Sequence, residues 1–401
     1  MGPGAQRVRS LRSEESGESR YVAVYIAVKL PDDLRRELIA LSSEIHADPE
    51  LAYKEERAAA RIRALLEKHG HTVEMGVGGL ATAFRSRVGP DGPSVALLAE
   101  YDALKGVGHG CGHNLIAITN VGAFLLAATD PKRLQVPIEI IGTPAEEDGG
   151  GKVDMLNAGA FANVGFVLST HPSAQSEWGV SATGLGIIGK RVIYRGKSSH
   201  AASSPERGRN ALNGLIRLFT GIDAWRQHLP STSRVHGIID FGGDAVNVVP
   251  ERAEGRFGLR AENSAILAEM IATFTDVAQG AALETGTTVE ITDYLQLYEP
   301  VSANAAIGDV VAEELERRGV DAKRGTLVTA STDLGNVSQK LPTDWIRFPV
   351  TTAPIAGHSN AMREASITDL AHENAMITTE ALAAATLRIA TDAALRKRIA
   401  A

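Results

Sequence analysis

The sequence predicts a mixed α/β protein with a mostly parallel sheet and a second, inserted domain. From residue 31 onward, short apolar runs alternate with amphipathic segments of helical period, which is the order of a parallel sheet with helices on both faces. Between residues 184 and 294 the order becomes strand, helix, strand, strand, helix, strand, the ferredoxin-like pattern. Forty glycines and sixteen prolines among 401 residues suit a chain with many tight connections.

The first part of the parallel-sheet domain is predicted over residues 31–183. Leu34, Leu38 and Ile45 recur at helical spacing after an acidic first turn, so the segment begins with an amphipathic helix. The run 95–99 is wholly apolar, as expected of a strand buried on both faces. The other predicted elements are short strands at 72–73 and 81–84, strands at 138–141 and 164–169, and helices at 55–69, 115–128 and 152–158.

The inserted domain is predicted over residues 184–294, and the parallel-sheet domain resumes over 295–401. The first domain is therefore discontinuous. The predicted elements of the insertion are strands at 187–194, 235–240, 256–260 and 288–291 and helices at 210–225 and 264–284. The predicted elements of the resumed parallel-sheet domain are helices at 307–317 and 369–389 and strands at 327–329 and 346–349.

Residues 1–30 are predicted to be a disordered extension. Arginines precede the apolar stretch 21–28, as in a secretion signal, but Glu14, Glu15 and Glu18 intervene and no small-x-small cleavage site follows.

Composition excludes several classes of protein. A net charge of −7 gives no broad basic surface, so no nucleic-acid partner is expected. No apolar run approaches the length of about 18 residues that a bilayer span needs, so no membrane partner is expected. The single cysteine, Cys111, rules out an internal disulfide framework and favours a reducing, cytoplasmic location.

Polar side chains follow the predicted strands where a parallel sheet would gather them. The segment 108–114 places Cys111 two residues from His113, and thiolate with imidazole suits Zn²⁺, Mn²⁺ or a related ion. Taken alone, this segment also fits a buried free cysteine beside a helix start.

Three adjacent acids, Glu146, Glu147 and Asp148, follow the strand 138–141. Such carboxylates repel one another unless they are solvated or a cation lies among them, so the segment fits either a cation site or a solvated acidic turn before a helix. Asp102, His171 and His358 also follow apolar runs. A single histidine is more often structural than a ligand, but the joint pattern indicates a metal centre.

As a set, these motifs resemble the M20 metallopeptidase and amidohydrolase family, in the family's order and over nearly the whole chain from residue 31. The segment Gly142–Lys152 is particularly similar to the branch that contains aminoacylase-1-like protein 2 and the aminobenzoyl-glutamate hydrolase subunits. The matching strings are Glu100-Tyr-Asp-Ala-Leu104, Gly108-His-Gly-Cys-Gly-His-Asn114, Gly142-Thr-Pro-Ala-Glu-Glu147, Ser199-His-Ala201 and Gly357-His-Ser359.

The resemblance implies a zinc-peptidase-like catalytic domain with an inserted lid and dimerisation domain. It also implies two divalent metal ions, zinc or manganese, with cobalt or nickel as alternatives. Glu100 stands where the family often has histidine and is not carried over as a ligand. The implied ligands are Cys111, which would bridge the ions, with His113, Glu147, His171 and His358.

The resemblance also assigns roles around the metals. Glu146 would be the general base, and Asp102 would orient a ligand imidazole. His200 would reach the active site of the other subunit, which makes a homodimer a requirement. Asn247 and Arg260 would contact the substrate, although Arg260 alone fits a structural salt bridge equally well.

The predicted function is metal-dependent hydrolysis of an amide or peptide bond in a small N-acyl or aminoacyl amino acid, an aryl-amide conjugate or a dipeptide. Three alternatives stay open: an aminohydrolase that releases ammonia from an aromatic or heterocyclic amine, a catalytically silent binding protein on the same fold, and an enzyme with Cys111 as nucleophile.

Overall fold

A computed structural model describes residues 28–401. The predicted disordered extension therefore lies outside the described residues, apart from positions 28–30. Leu30 is buried there, and its backbone N–H donates to Oε1 of Glu380 over 2.8 Å.

The described chain alternates strands and helices. The strands are β1 (Glu74–Met75), β2 (Phe84–Val88), β3 (Ser94–Ala99), β4 (Ile138–Gly142), β5 (Val164–Ser173), β6 (Gly179–Val180), β7 (Thr183–Gly184), β8 (Gly186–Arg195), β9 (Arg234–Phe241), β10 (Arg252–Ala261), β11 (Thr288–Tyr298), β12 (Lys323–Arg324), β13 (Leu327–Val328) and β14 (Thr343–Pro349). The α-helices are α1 (Asp32–Ala47), α2 (Glu56–Lys68), α3 (His113–Ala127), α4 (Gly151–Asn157), α5 (Ala211–Trp225), α6 (Ser264–Thr285), α7 (Ala305–Glu316), α8 (Leu334–Ser338), α9 (Asn360–Ala365), α10 (Asp369–Thr391) and α11 (Ala393–Ile399).

The large sheet has the strand order β1-β2-β4-β3-β5-β14-β6-β12, and its four central strands run parallel. Every residue of β3 is buried, because Val95 and Leu97 face the core that contains α1, α3 and α10 while Ala96 and Leu98 face a second cluster on the opposite side. This confirms the predicted α/β class with a mostly parallel sheet. The carboxyl ends of β3, β4, β5 and β14 consequently meet at one edge.

The segment from β8 to β11 forms a separate antiparallel sheet of order β11-β8-β10-β9. Helices α5 and α6 pack on it, and their buried residues share one core with β8 and β10. The strand-helix-strand-strand-helix-strand order is the one expected for the lid. Strand β11 continues from Thr288 to Tyr298, well beyond the predicted 288–291, and so passes through the predicted domain boundary at residue 294.

Helix α6 is the one helix within residues 28–401 whose length and apolar composition would allow it to cross a membrane. This is weak evidence, because helices packed in a protein core meet the same criteria. In α6, Leu267, Phe274 and Ala278 are buried in the core of the lid.

Candidate metal centre

The polar residues predicted from the sequence lie at the carboxyl edge of the large sheet. Asp102 follows β3, Glu146 and Glu147 follow β4, and His171 lies near the end of β5. His113 is the first residue of α3, which begins where the chain leaves β3 through a glycine-rich loop. The topology thus gathers side chains that are far apart in the sequence.

All of the predicted metal ligands come together. Sγ of Cys111 lies 3.5 Å from Nε2 of His171. One carboxylate oxygen of Glu147 lies 3.6 Å from Nε2 of His113, and the other lies 3.5 Å from Nε2 of His358.

The donor atoms of the predicted ligands form two overlapping groups, each within 4.8 Å: Cys111 with His113 and His171, and Cys111 with Glu147 and His358. Both groups share the thiol, so a cation held by either group would be within reach of this sulfur. A third group of the same kind joins Glu100, His113 and Glu146.

The donor set fits divalent cations. Nε2 of His113 and Oε1 of Glu147 are buried, and neither has a hydrogen-bond partner in the described part of the chain. A buried polar atom without a partner costs about 1–3 kcal/mol, so the protein maintains this arrangement at a cost that a cation would remove. Thiolate, imidazole and carboxylate together suit zinc and related first-row ions.

Hydrogen bonds hold two of the three predicted ligand imidazoles in the orientation that metal binding needs. Nδ1 of His113 donates to Oδ1 of Asp102 over 2.8 Å, and Nδ1 of His171 donates to the carbonyl oxygen of Pro172 over 2.6 Å. When the imidazole is neutral, each Nε2 is then left as the acceptor that faces the centre. The structure therefore places Asp102 where the sequence predicted an orienting acid.

Burial changes the protonation of the ligand set. It lowers the pKa of His171 to about 4, which keeps that imidazole neutral at ordinary pH. Burial, reinforced by the carboxylate of Glu147, raises the pKa of the Cys111 thiol far above its usual range. Without a cation the thiol keeps its proton, so metal binding must release it and becomes weaker as the pH falls.

Glu146 has a buried carboxylate whose Oε2 lies 3.8 Å from Nε2 of His113. Burial, with the nearby carboxylates of Glu147 and Glu100, raises its pKa well above the ordinary value. A carboxylate with a raised pKa can accept a proton near neutrality and release it again, which is what a general base and acid must do.

The backbone turn that carries Glu146 is strained, and a hydrogen bond to a side chain outside the turn holds it in place. Ala145 has φ of 60°, in the left-handed region that few residues with a side chain adopt. Its N–H donates to Oε1 of Glu55 over 2.9 Å, and the hydroxyl of Thr82 donates to the other oxygen of Glu55. At Gly151 a Cβ would lie 1.9 Å from the carbonyl oxygen of Pro144, so a glycine is required there.

A buried ion-pair network adjoins the centre, and the sequence pattern did not predict it. Nζ of Lys152 lies 2.7 Å from Oε1 of Glu100 and 2.6 Å from Oδ1 of Asp333. Oε2 of Glu100 has no hydrogen-bond partner in the described chain and lies 3.6 Å from Nε2 of His113. The network thus presents one free oxygen of Glu100 to the centre.

One signal in the sequence could have revealed Lys152. It lies in the first turn of α4, where the helix dipole disfavours a positive charge. A lysine at that place needs an anionic partner elsewhere in the fold.

A cavity of about 580 Å³ opens beside the centre. Cys111, Glu146 and His358 are among the residues that line it on the side of the large sheet, and Arg260 and Tyr294 line it on the side of the lid. Nη1 of Arg260 donates to the hydroxyl of Ser331 over 2.8 Å. Arg260 therefore lies where a contact with substrate is possible.

His200 and Asn247 lie elsewhere, on the surface of the lid. Both are exposed, and neither lines the cavity. The N–H of Ala201 donates to the carbonyl oxygen of Asn247 over 2.9 Å, so the two loops are adjacent. Nδ1 of His200 accepts from the backbone N–H of Ser203 over 3.1 Å, so one side of the ring is held by its own loop.

Comparison with known sequences decides the family. The profile of peptidase family M20/M25/M40 matches residues 90–375, well over half of the chain. The chain belongs to this family. The Xaa-Arg dipeptidase of Mus musculus is 35% identical over 97% of this chain and 94% of its own length. A p-aminobenzoyl-glutamate hydrolase component from Escherichia coli K12 is 28% identical, with 90% of each chain covered.

Solved structures of other proteins share the fold. The Bacillus subtilis YXEP protein, described as a dinuclear metal binding peptidase from the M20 family, superposes with a TM-score of 0.71. The match covers 90% of this chain and 99% of that one at 18% identity. An aminobenzoyl-glutamate utilization protein from Klebsiella pneumoniae gives a TM-score of 0.67 at 19% identity, over 90% and 98% of the two chains.

M20 membership confirms the predicted family, the fold class and the assignment as a metal-dependent hydrolase of amide or peptide bonds. The donor set and the family together indicate divalent metal ions. The role of each site residue stays a prediction, which the geometry makes specific enough to test.

Proposed function

We propose that this M20 enzyme hydrolyses the amide or peptide bond of small N-acyl or aminoacyl amino acids, as a cytoplasmic homodimer with two zinc or manganese ions in each chain. The observation that carries the proposal is the pair of ligand groups that share Cys111, directly beside Glu146 and open to one cavity. In this arrangement the proposed base and the proposed ligands already lie together.

Cys111, His113, Glu147, His171 and His358 would hold the ions. Bound divalent cations would lower the pKa of water toward neutrality and polarise a carbonyl oxygen. Glu146 would take the proton from the attacking water and later give it to the nitrogen of the leaving amine. Asp102 and Pro172 would keep the imidazoles of His113 and His171 oriented throughout.

The names of two relatives suggest what the substrates share. An Xaa-Arg dipeptide and p-aminobenzoyl-glutamate both carry an amino acid with a free carboxylate on the amine side of the bond that is cleaved. Arg260 is the candidate for binding that carboxylate, because its guanidinium lines the cavity and has no ion-pair partner within residues 28–401.

The homodimer is proposed because one chain leaves its own cavity without His200 and Asn247. Both residues lie on an exposed part of the lid, and strand β9 at the edge of the lid sheet leaves Ile238 and Ile239 about half exposed, at 54% and 47%. An apolar, unpaired edge strand favours pairing with another chain. Through such an interface His200 and Asn247 would contribute to the partner's site.

Two alternatives are less well supported. A nucleophilic cysteine needs a lowered pKa, whereas burial raises the pKa of Cys111. Release of ammonia from an aromatic amine has no feature of the cavity in its favour, and product analysis distinguishes it from amide hydrolysis.

The test is elemental analysis of the purified protein, followed by assays with N-acyl amino acids, dipeptides and aryl glutamates. We expect two equivalents of metal in each chain and release of a free amino acid that a chelator abolishes. Equal activity in metal-free protein, or ammonia as the only nitrogenous product, would contradict the proposal.

A further inference from the structure

Arg347 is a second guanidinium in the wall of the cavity. It lies on β14 directly opposite His171 of β5 in the parallel register, so both side chains leave the sheet on the same face. Arg347 lines the same cavity as Arg260 and the metal centre. The predicted site residues do not include it, because its strand is recognised in the sequence only as the short segment 346–349.

The charge of Arg347 has no counterion in the described chain. Nη2 donates to the hydroxyl of Ser173 over 3.2 Å, Nε is buried without a hydrogen-bond partner, and no carboxylate of residues 28–401 lies within 4.0 Å. Arg388, which is also largely buried, instead pairs with Glu313 and Glu314. A half-buried guanidinium without an anion is costly to maintain.

We propose that Arg347 binds a second carboxylate of the substrate, so that the preferred leaving group is a dicarboxylic amino acid such as glutamate or aspartate. This rests on the proposed amide hydrolysis, in which Arg260 takes the α-carboxylate. Within residues 28–401 neither arginine of this cavity has an anionic partner, so the two could bind two anionic groups of one ligand. A planar guanidinium matches a carboxylate through paired hydrogen bonds.

One feature of the cavity favours the opposite charge. Asp148 is exposed and lines the cavity, and its carboxylate would attract a basic side chain. Arg347 would repel that side chain, whereas it would attract a carboxylate. The two residues thus make opposite predictions, which a substrate series can separate.

The experiment compares N-acetyl-glutamate, N-acetyl-glutamine and N-acetyl-arginine with the metal-loaded protein and its Arg347→Gln and Arg347→Lys variants. Glutamine has the shape of glutamate without the charge. We expect the wild type to prefer glutamate over glutamine in kcat/KM by roughly tenfold to a hundredfold, the range for a charge-assisted hydrogen bond. Arg347→Gln should abolish this preference by raising the KM for the glutamate substrate, and Arg347→Lys should retain part of the preference.

Arg63→Gln is the matched control, because it removes one positive charge from an exposed position on α2. It should keep the glutamate preference. A thermal shift with free glutamate adds a binding readout, expected in the wild type and lost in Arg347→Gln. Arg347→Met is the second variant if the glutamine variant does not fold.

An unchanged glutamate-to-glutamine ratio in Arg347→Gln, or a wild-type preference for the arginine substrate, would overturn the inference while leaving amide hydrolysis in place. Absence of hydrolysis of every N-acyl amino acid and dipeptide by the metal-loaded wild type would instead refute the proposed function.

Discussion

Nδ1 of His113 lies 2.8 Å from Oδ1 of Asp102, and both side chains are buried. The other oxygen of Asp102 accepts the backbone N–H of Glu147 over 2.9 Å. One carboxylate thus positions a residue from each of the two ligand groups. The orientation of both groups therefore depends on a residue that belongs to neither of them.

Replacing Asp102 by asparagine should weaken metal binding by about 10- to 100-fold, the range for a lost partner of a ligand. Asparagine offers one acceptor oxygen, and its amide group would face one of the two N–H donors. Competition with a coloured chelator measures the change. Asp240→Asn, in an exposed ion pair of the lid, is the control, and equal affinities would argue against the orienting role.

Cys111→Ala should reduce the metal content of each chain below that of the wild type, because both ligand groups share this sulfur. Elemental analysis after dialysis provides the measurement. A variant that still binds as much metal as the wild type would exclude Cys111 as a ligand. Serine at this position should bind the metal only weakly, since its hydroxyl is a poor substitute for a thiolate.

Glu146→Gln should keep the bound metal and lower kcat by about 10²- to 10⁴-fold, because a general base is lost. Glutamine preserves the volume in this buried turn, so the fold should not change. Initial rates and elemental analysis on the same preparation test both parts. Glu56→Gln, an exposed change on α2, should leave both unaffected. High residual turnover in Glu146→Gln would remove it as the base.

His200→Ala should lower activity without loss of metal, and mixing it with Glu146→Gln should restore activity. If His200 acts across a dimer, a mixed dimer has one complete site, so random mixing should recover about one quarter of wild-type activity. If His200 acts within its own chain, no site is complete. Mixed dimers isolated with two affinity tags distinguish the two cases.

Stability should depend on pH through Asp344, which is not among the residues that line the cavity. Burial raises the pKa of Asp344 to about 7, although Ser181 and Trp345 donate hydrogen bonds to it. The folded state then holds a proton that the unfolded chain releases, so the stabilisation is complete below about pH 4 and disappears as the pH rises to about 7.

Asp344→Asn keeps the shape and removes the titration. Its stability relative to the wild type should therefore increase with pH by up to about 4 kcal/mol, at about 1.4 kcal/mol per pKa unit. Urea unfolding at several pH values between about 4 and 8 measures the difference. Parallel curves for the two proteins would show that Asp344 ionises normally.

The sequence predicted which side chains come together at the sheet edge, because parallel strands bring their carboxyl ends together whatever their separation along the chain. The sequence did not reveal those residues whose role depends on partners far away along the chain. Lys152 pairs with Asp333, which lies 181 positions away, and Arg347 is brought beside His171 only by the pairing of β14 with β5. The length of β11 was missed because Asp293 and Gln296 interrupt its apolar pattern, with shifts in register at that place.

The hydroxyl of Tyr298 donates to the carbonyl oxygen of Glu146 over 2.8 Å. Tyr298 ends β11, the lid strand that also lines the cavity, so this bond ties the lid sheet directly to the peptide that carries Glu146. Any displacement of the lid sheet would therefore be transmitted to the backbone of the proposed base.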